Sequence, residues 1–169
     1  EQMRDSSIKN MLDSALNAAN VEVFDMSESK HELKGMGTTV VCAIVKDGQA
    51  YIAHAGDSRA YILKNGKIFQ ITTDHSIVQD LLDKGKITSE QALNHPNKNI
   101  ITRAIGGDSY VEPEMFCVEL MPDDIIMMCS DGLTNMIEDE DIFKIVKQNL
   151  PLDKTAETLV DTANSNGGK

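Results

Sequence analysis

The chain has 169 residues, with 16 Lys and Arg against 27 Asp and Glu, for a net charge of −11. At 41% apolar and 25% charged residues it is composed like one globular domain, which excludes disorder, collagen and low-complexity repeats. The acidity disfavours sequence-independent nucleic-acid binding, no stretch has the ~20 apolar residues of a membrane span, and the polar opening does not read as a secretory leader.

In chain order, Ile8, Met11, Leu12, Ala15, Ala19 and Val23 recur at helical steps, which predicts a helix starting at Asp5 or Ser6. Residues 26–34 are polar and mixed in charge and read as a connection. Residues 38–46 are β-branched and apolar, Asp47-Gly48 is a hairpin signal, and residues 49–55 give the return strand. Gly56-Asp57-Ser58 interrupts the pattern. Residues 59–64 resume it, Asn65-Gly66 marks a second hairpin, and residues 67–71 complete what reads as an antiparallel meander.

Residues 72–96 turn helical, with Ile77, Val78, Leu81 and Leu82 ahead of Gly85 and a capped second start at Thr88-Ser89-Glu90-Gln91. Residues 115–120 and 125–129 read as strands joined by the turn Met121-Pro122-Asp123-Asp124, and Asp131-Gly132 breaks the second. Met127 and Met128 read as core residues of that strand. Two helices close the chain. The first, 138–149, opens on acids that suit a helix N-terminus and turns Ile142, Phe143, Ile145 and Val146 inward. The second, 154–163, turns in Ala156, Leu159, Val160 and Ala163. Segregated strands and helices imply an α+β fold, helices packed on antiparallel sheet.

Cys42, Cys117 and Cys129 are odd in number and lack any CxxC or Cys/His spacing, so they read as buried thiols in a reducing compartment, the cytoplasm. No phosphate loop, nucleophile elbow or HExxH string is present. His31, His54, His75 and His95 are scattered, and each reads as a surface or hydrogen-bonded residue rather than a ligand. What remains is aspartate at strand ends. Asp57 and Asp131 each follow an apolar run and precede a small residue, Ser58 or Gly132. Carboxylates on such fixed supports suit Mg²⁺ or Mn²⁺, which prefer oxygen ligands; the plainer alternative is a turn-former bonding its own backbone.

Four strings occur in a telling order: Gly35-Met36-Gly37-Thr38-Thr39, Ala55-Gly56-Asp57-Ser58-Arg59, Thr102-Arg103-Ala104-Ile105-Gly106, and Cys129-Ser130-Asp131-Gly132-Leu133. Together they resemble the metal-dependent protein phosphatases of type 2C, the PPM family, and its bacterial branch most. The resemblance implies a four-layer α-β-β-α sandwich of antiparallel sheets, present in part, as a single incomplete domain over residues 1–169. It implies hydrolysis of phosphoserine and phosphothreonine in proteins by a metal-activated water, with two core Mn²⁺ or Mg²⁺ ions and a third, weaker one; no side chain is itself the catalyst.

On that resemblance Asp131 matches the metal-binding aspartate of the SDG motif, and Asp57 that of the GDS motif, a ligand of the third ion. Gly132 would let the backbone turn beside the metal, Gly56 and Ser58 would be structural neighbours of the site, and Thr38 and Thr39 structural. Residues 77–101 match the flap subdomain, with no single residue assigned to substrate access; the role of Arg103 at its end stays open, a structural salt bridge being the leading reading. Implied partners are phosphorylated proteins, a cognate Ser/Thr kinase and its substrates. The family's DGxGG string would precede residue 1, and GGxDN is cut at Gly167-Gly168-Lys169. The chain therefore reads as truncated at both ends and inactive alone. An inactive phosphoprotein-binding or regulatory relative of the same fold is the alternative.

Overall fold

In the computed structural model, which describes residues 2–168, two antiparallel three-stranded sheets each carry their own helices. Lys169, the last residue of the cut GGxDN match, lies outside the described residues. The α+β class with antiparallel sheets is as expected. The chain divides into two compact units, one formed by the chain up to Ser58 with Thr72–Leu120, the other by Arg59–Ile71 with the chain from Met121 onward.

The first unit holds strands β1 (Val40–Lys46), β2 (Gln49–Ala55) and β5 (Glu114–Glu119), in the order β1-β2-β5. Its register sets Cys42 opposite Ala53 and Tyr51 opposite Cys117. Helix α1 (Gln2–Ser29) lays Ile8, Leu12 and Leu16 against Tyr51 and Ala53. It is already helical at Gln2, ahead of the expected start at Asp5 or Ser6, and it continues to Ser29 through what read as a connection. Its inward row keeps Ile8, Leu12 and Val23 as expected but differs at the other positions. Met11 is 54% exposed and Ala15 and Ala19 are exposed, while Leu16 and Asn20 are buried. Asn20 holds its buried place because its amide donates to the Asp108 carbonyl at 2.9 Å and accepts the Gly106 N–H at 2.8 Å. A 3-10 turn at His31–Leu33 follows.

Two short helices complete this unit, α2 (Ile77–Asp83), capped by Ser76, and α3 (Ser89–Leu93). Thr88 and Gln91 form the expected reciprocal cap, each side chain bonding the other's backbone N–H.

The second unit holds β3 (Arg59–Lys64), β4 (Lys67–Gln70) and β6 (Ile125–Cys129), in the order β4-β3-β6, with α4 (Asp131–Thr134), α5 (Asp139–Val146) and α6 (Leu152–Ser165). Tyr61 and Leu63 of β3 pack with Ile137, Ile142, Val146, Leu159 and Ala163 into its core. The inward face of α6 is Thr155, Leu159 and Ala163, at four-residue steps. Ala156 and Val160 face out, contrary to expectation, because the polar Thr155 takes the buried place by bonding the Pro151 carbonyl at 3.2 Å. Ile125, Met127 and Cys129 of β6 pack inward, but Met128, read as a core residue, is 47% exposed, as strand alternation requires.

The expected meander does not exist. Strands β2 and β3 are consecutive in the chain but belong to different sheets, because β2 takes β5 as its second partner and β3 takes β6. Both hairpins are as expected: Asp47 and Gly48 have φ of 51° and 76°, Asn65 and Gly66 of 52° and 72°, the left-handed pair of a two-residue turn. All three cysteines are free and none is fully buried, contrary to expectation: Cys42 and Cys129 are half-buried, and Cys117 is exposed, its thiol 2.9 Å from Gln49 Oε1. Among the described residues no helix is long and apolar enough to cross a membrane.

Candidate functional site

One residue separates Asp57 from β2, which is buried from Ala50 to Ala55. The turn that carries it is built on Gly56, at φ +120°. A Cβ there would stand 2.3 Å from Thr39 Cγ2, so backbone conformation and space both demand glycine. Thr39 also meets Ser58, hydroxyl to hydroxyl at 2.7 Å. The Gly56 N–H donates to His75 Nδ1 at 3.1 Å, and the His75 backbone N–H donates to the Gly56 carbonyl at 2.9 Å. Asp57 is half-buried between Gly56 and the buried Ser58.

Asp131 is held differently. It follows β6 and opens the single turn of α4 in the second unit. Its backbone carbonyl accepts the Asn135 N–H at 2.8 Å, and its Oδ2 accepts the Asn135 side-chain amide at 3.1 Å. Gly132 has room to spare, since a Cβ would come no nearer than 3.4 Å to Ser130 Oγ. Beneath α5 in the same unit, the buried Tyr61 hydroxyl donates to Asp139 Oδ1 at 3.0 Å and accepts from Arg59 Nη1 at 3.1 Å. Burial pushes this phenol far above its ordinary range, against the opposing pull of Arg59.

The two aspartates belong to different units, and each is fixed by its own neighbours. Both are half-buried carboxylates on the ends of strands, hard oxygen donors of the kind Mn²⁺ and Mg²⁺ take. Each carboxylate, taken by itself, therefore suits these ions.

The structure also assembles a cluster that residue spacing did not show. His54 of β2, His75 and Glu114 of β5 place ligand atoms within 4.8 Å of one another. The two rings stack, centroids 4.3 Å apart and 21° from parallel. His54 is fully buried, and its Nε2 bonds the Thr73 carbonyl at 2.9 Å. Its Nδ1 has no partner. His75 Nε2 lies 3.3 Å from Glu114 Oε2 and 3.0 Å from Arg103 Nη1. Arg103 thus turns to a ring nitrogen where a salt bridge was expected.

Burial, then the neighbouring His54 and Arg103, bring His75 down to about 4; burial lowers His54 as well. Both rings are neutral at pH 7. The cluster is a poor fit for a metal ion, because His75 Nδ1 is already occupied by the Gly56 N–H and a guanidinium stands at its other nitrogen. The clue in the sequence was His54 itself, a polar residue between Ala53 and Ala55 on an otherwise apolar strand.

The profile of the protein phosphatase 2C family matches residues 1–169. Serine/threonine phosphatase stp of Listeria monocytogenes serotype 4b is 43% identical over 162 residues, covering 96% of this chain and 64% of that protein. Protein phosphatase PhpP of Streptococcus pneumoniae is 44% identical over 135 residues, 80% of this chain and 55% of that protein. Among solved structures, serine/threonine phosphatase Stp1 from Staphylococcus aureus matches with a TM-score of 0.90 at 36% identity, covering 95% of this chain and 63% of that one. The catalytic domain of the serine threonine protein phosphatase PstP, in complex with two manganese ions, matches with a TM-score of 0.83 at 35% identity, covering 93% of this chain and 65% of that one. The chain spans just under two thirds of the length of the Listeria and Staphylococcus proteins. Along its entire length, strand-end aspartates included, it belongs to the protein phosphatase 2C family.

Proposed function

We propose that this chain is part of an enzyme that hydrolyses phosphoserine and phosphothreonine in proteins with a metal-activated water. The observation that carries the reading is the pair of strand-end carboxylates, Asp57 and Asp131, rigidly mounted in a chain of this family. The names of the Listeria and Staphylococcus relatives, both serine/threonine phosphatases, support it. The two manganese ions of the PstP complex support Mn²⁺ or Mg²⁺ as cofactor.

Such ions, bound, lower the pKa of a coordinated water and neutralise phosphoryl oxygens. In our reading Asp131 holds a core ion, and Asp57 helps to hold a third. Asn135 keeps the Asp131 carboxylate in one orientation, and the glycine at 132 leaves its surroundings uncrowded. Residues 77–101, with α2 and α3, form the flap that governs access. The substrates are phosphorylated proteins, those of a cognate kinase included, and the thiol usage favours the cytoplasm.

The test is hydrolysis of p-nitrophenyl phosphate and a phosphothreonine peptide by the full-length protein. We expect Mn²⁺-dependent turnover, lost on chelation, abolished in Asp131→Ala and weakened in Asp57→Ala. Activity that survives chelation, or a full rate in Asp131→Ala, overturns the reading.

A further inference from the structure

We propose that His75 is a positioning residue for Asp57, holding both the N–H and the carbonyl of Gly56 and so fixing the turn that carries the carboxylate. The inference rests on the reading that Asp57 holds an ion. The clasp closes a neck in the chain: it leaves the first unit after Ser58 and rejoins it at Thr72. His75 therefore ties the point of exit to the point of re-entry, its backbone N–H on the Gly56 carbonyl at 2.9 Å and its Nδ1 on the Gly56 N–H at 3.1 Å. Thr39 fills the space under Gly56 and bonds Ser58, which limits where the turn can lie. The clasp fixes the two peptides that flank Gly56, the second of which leads into Asp57.

The hydrogen bonds dictate the tautomer. A backbone N–H only donates, so His75 Nδ1 must carry the lone pair and the neutral ring keeps its proton on Nε2. That proton faces Glu114 Oε2 at 3.3 Å. Arg103 Nη1, 3.0 Å from the same Nε2, is also a donor, so it competes with Gly56 for the one lone pair of the ring. The opposite tautomer would satisfy Arg103 alone and forfeit both the Gly56 and the Glu114 bonds. Two bonds against one favour the clasp. His54, itself set as the Nε2–H tautomer by the Thr73 carbonyl, stacks on the His75 ring and holds its plane. A metal ion on His75 Nε2 would require a proton on Nδ1 and would break the clasp.

Nitrogen-detected NMR of histidine-labelled full-length protein at pH 7 reads the tautomer. We expect His75 with a protonated Nε2 and a bare, hydrogen-bonded Nδ1, unchanged by added Zn²⁺. A protonated Nδ1, or Zn²⁺ ligation by Nε2, overturns the clasp. Two variants read its consequence. His75→Asn keeps an acceptor close to where Nδ1 stands, whereas His75→Leu removes it. The Mn²⁺ concentration for half-maximal activity should rise about tenfold in His75→Leu, with the rate recovered at saturating Mn²⁺, and stay within about threefold of wild type in His75→Asn. Equal behaviour of the two variants overturns the positioning role. Asp57→Ala separates the two ideas: if it leaves the Mn²⁺ dependence unchanged, the reading of Asp57 fails and the proposal with it. If Asp57→Ala shifts that dependence and His75→Leu does not, only the proposal fails.

Discussion

The two units hold a carboxylate at a strand end by opposite means. In the first, the turn at Asp57 is fixed from a distance: Thr39 lies beneath it and His75 clasps it, both far from it in sequence. In the second, Asp131 is fixed by the next turn of chain, through the backbone and side chain of Asn135. A distant clamp depends on tertiary packing and tolerates no extra atom. A local helical turn depends on little else and tolerates small changes. The first arrangement should therefore be brittle and the second forgiving.

The sharpest way to break that comparison is to add one methyl group to each turn. Gly56→Ala puts a Cβ 2.3 Å from Thr39 Cγ2 at a φ of +120°, which should cost about 3 kcal/mol or more. Gly132→Ala meets nothing nearer than 3.4 Å and replaces glycine in a helix, so it should shift stability by less than about 0.5 kcal/mol. Denaturant midpoints measure both. Similar losses in the two variants would end the distinction between brittle and forgiving turns.

Tyr61→Phe tests whether the second unit has a nonlocal weakness of its own. The buried hydroxyl joins β3 to the start of α5 through Asp139 and also accepts from Arg59. Removing it should cost about 1–2 kcal/mol. The change should appear as faster amide exchange around Ile142, with the Gly56 amide unaffected.

Acid sharpens the comparison from the other side. His75 titrates in the fold at about 4, below the ordinary value of about 6.5. Above about 6.5 the ring is neutral folded or unfolded, and its contribution to stability is complete. As pH falls from about 6.5 toward 4 the unfolded chain takes up a proton that the folded ring refuses, so stability declines through that window. His54, also lowered by burial, adds to the decline in the same direction. The protection of the Gly56 amide, the slowing of its exchange relative to the intrinsic rate at the same pH, should decrease over this range, and His75→Asn should flatten the slope. A pH-independent protection of the Gly56 amide would contradict it.

This contrast between local and distant constraints also explains what could be read in the sequence. The hairpins at Asp47-Gly48 and Asn65-Gly66 and the cap at Thr88 and Gln91 are chemistry within a few residues, and all three stand where expected. The split into two sheets was not legible, because it depends on β2 finding β5 and β3 finding β6. Helix faces were misjudged where a polar residue is buried. Asn20 and Thr155 count as surface in any hydrophobic pattern, yet each takes an inward position by bonding backbone groups. At the candidate site, Asp57 and Asp131 stood out because each ends an apolar run inside a recognisable string. His75 and Glu114 did not, and Arg103, although inside such a string, could not be placed beside them, because only folding brings the three to one place.

The smallest expected effect belongs to Asn135→Ala, and it bears most directly on the local mechanism. The variant keeps the backbone bond from residue 135 to the Asp131 carbonyl, so the turn of α4 persists. It loses only the amide on Asp131 Oδ2, and Asn135 is exposed, so water replaces the missing donor. The loss of stability should be about 0.5 kcal/mol, and amide exchange at Gly56 should not change. What the variant gives up is orientation: a carboxylate released from its amide samples more rotamers and presents its oxygens less consistently to a cation. In the full-length protein the Mn²⁺ requirement should therefore rise by a few fold while the thermal midpoint barely moves. A large drop in that midpoint would mean that α4, like the turn at Gly56, depends on a side-chain clamp, and the contrast between the two strand ends would be lost.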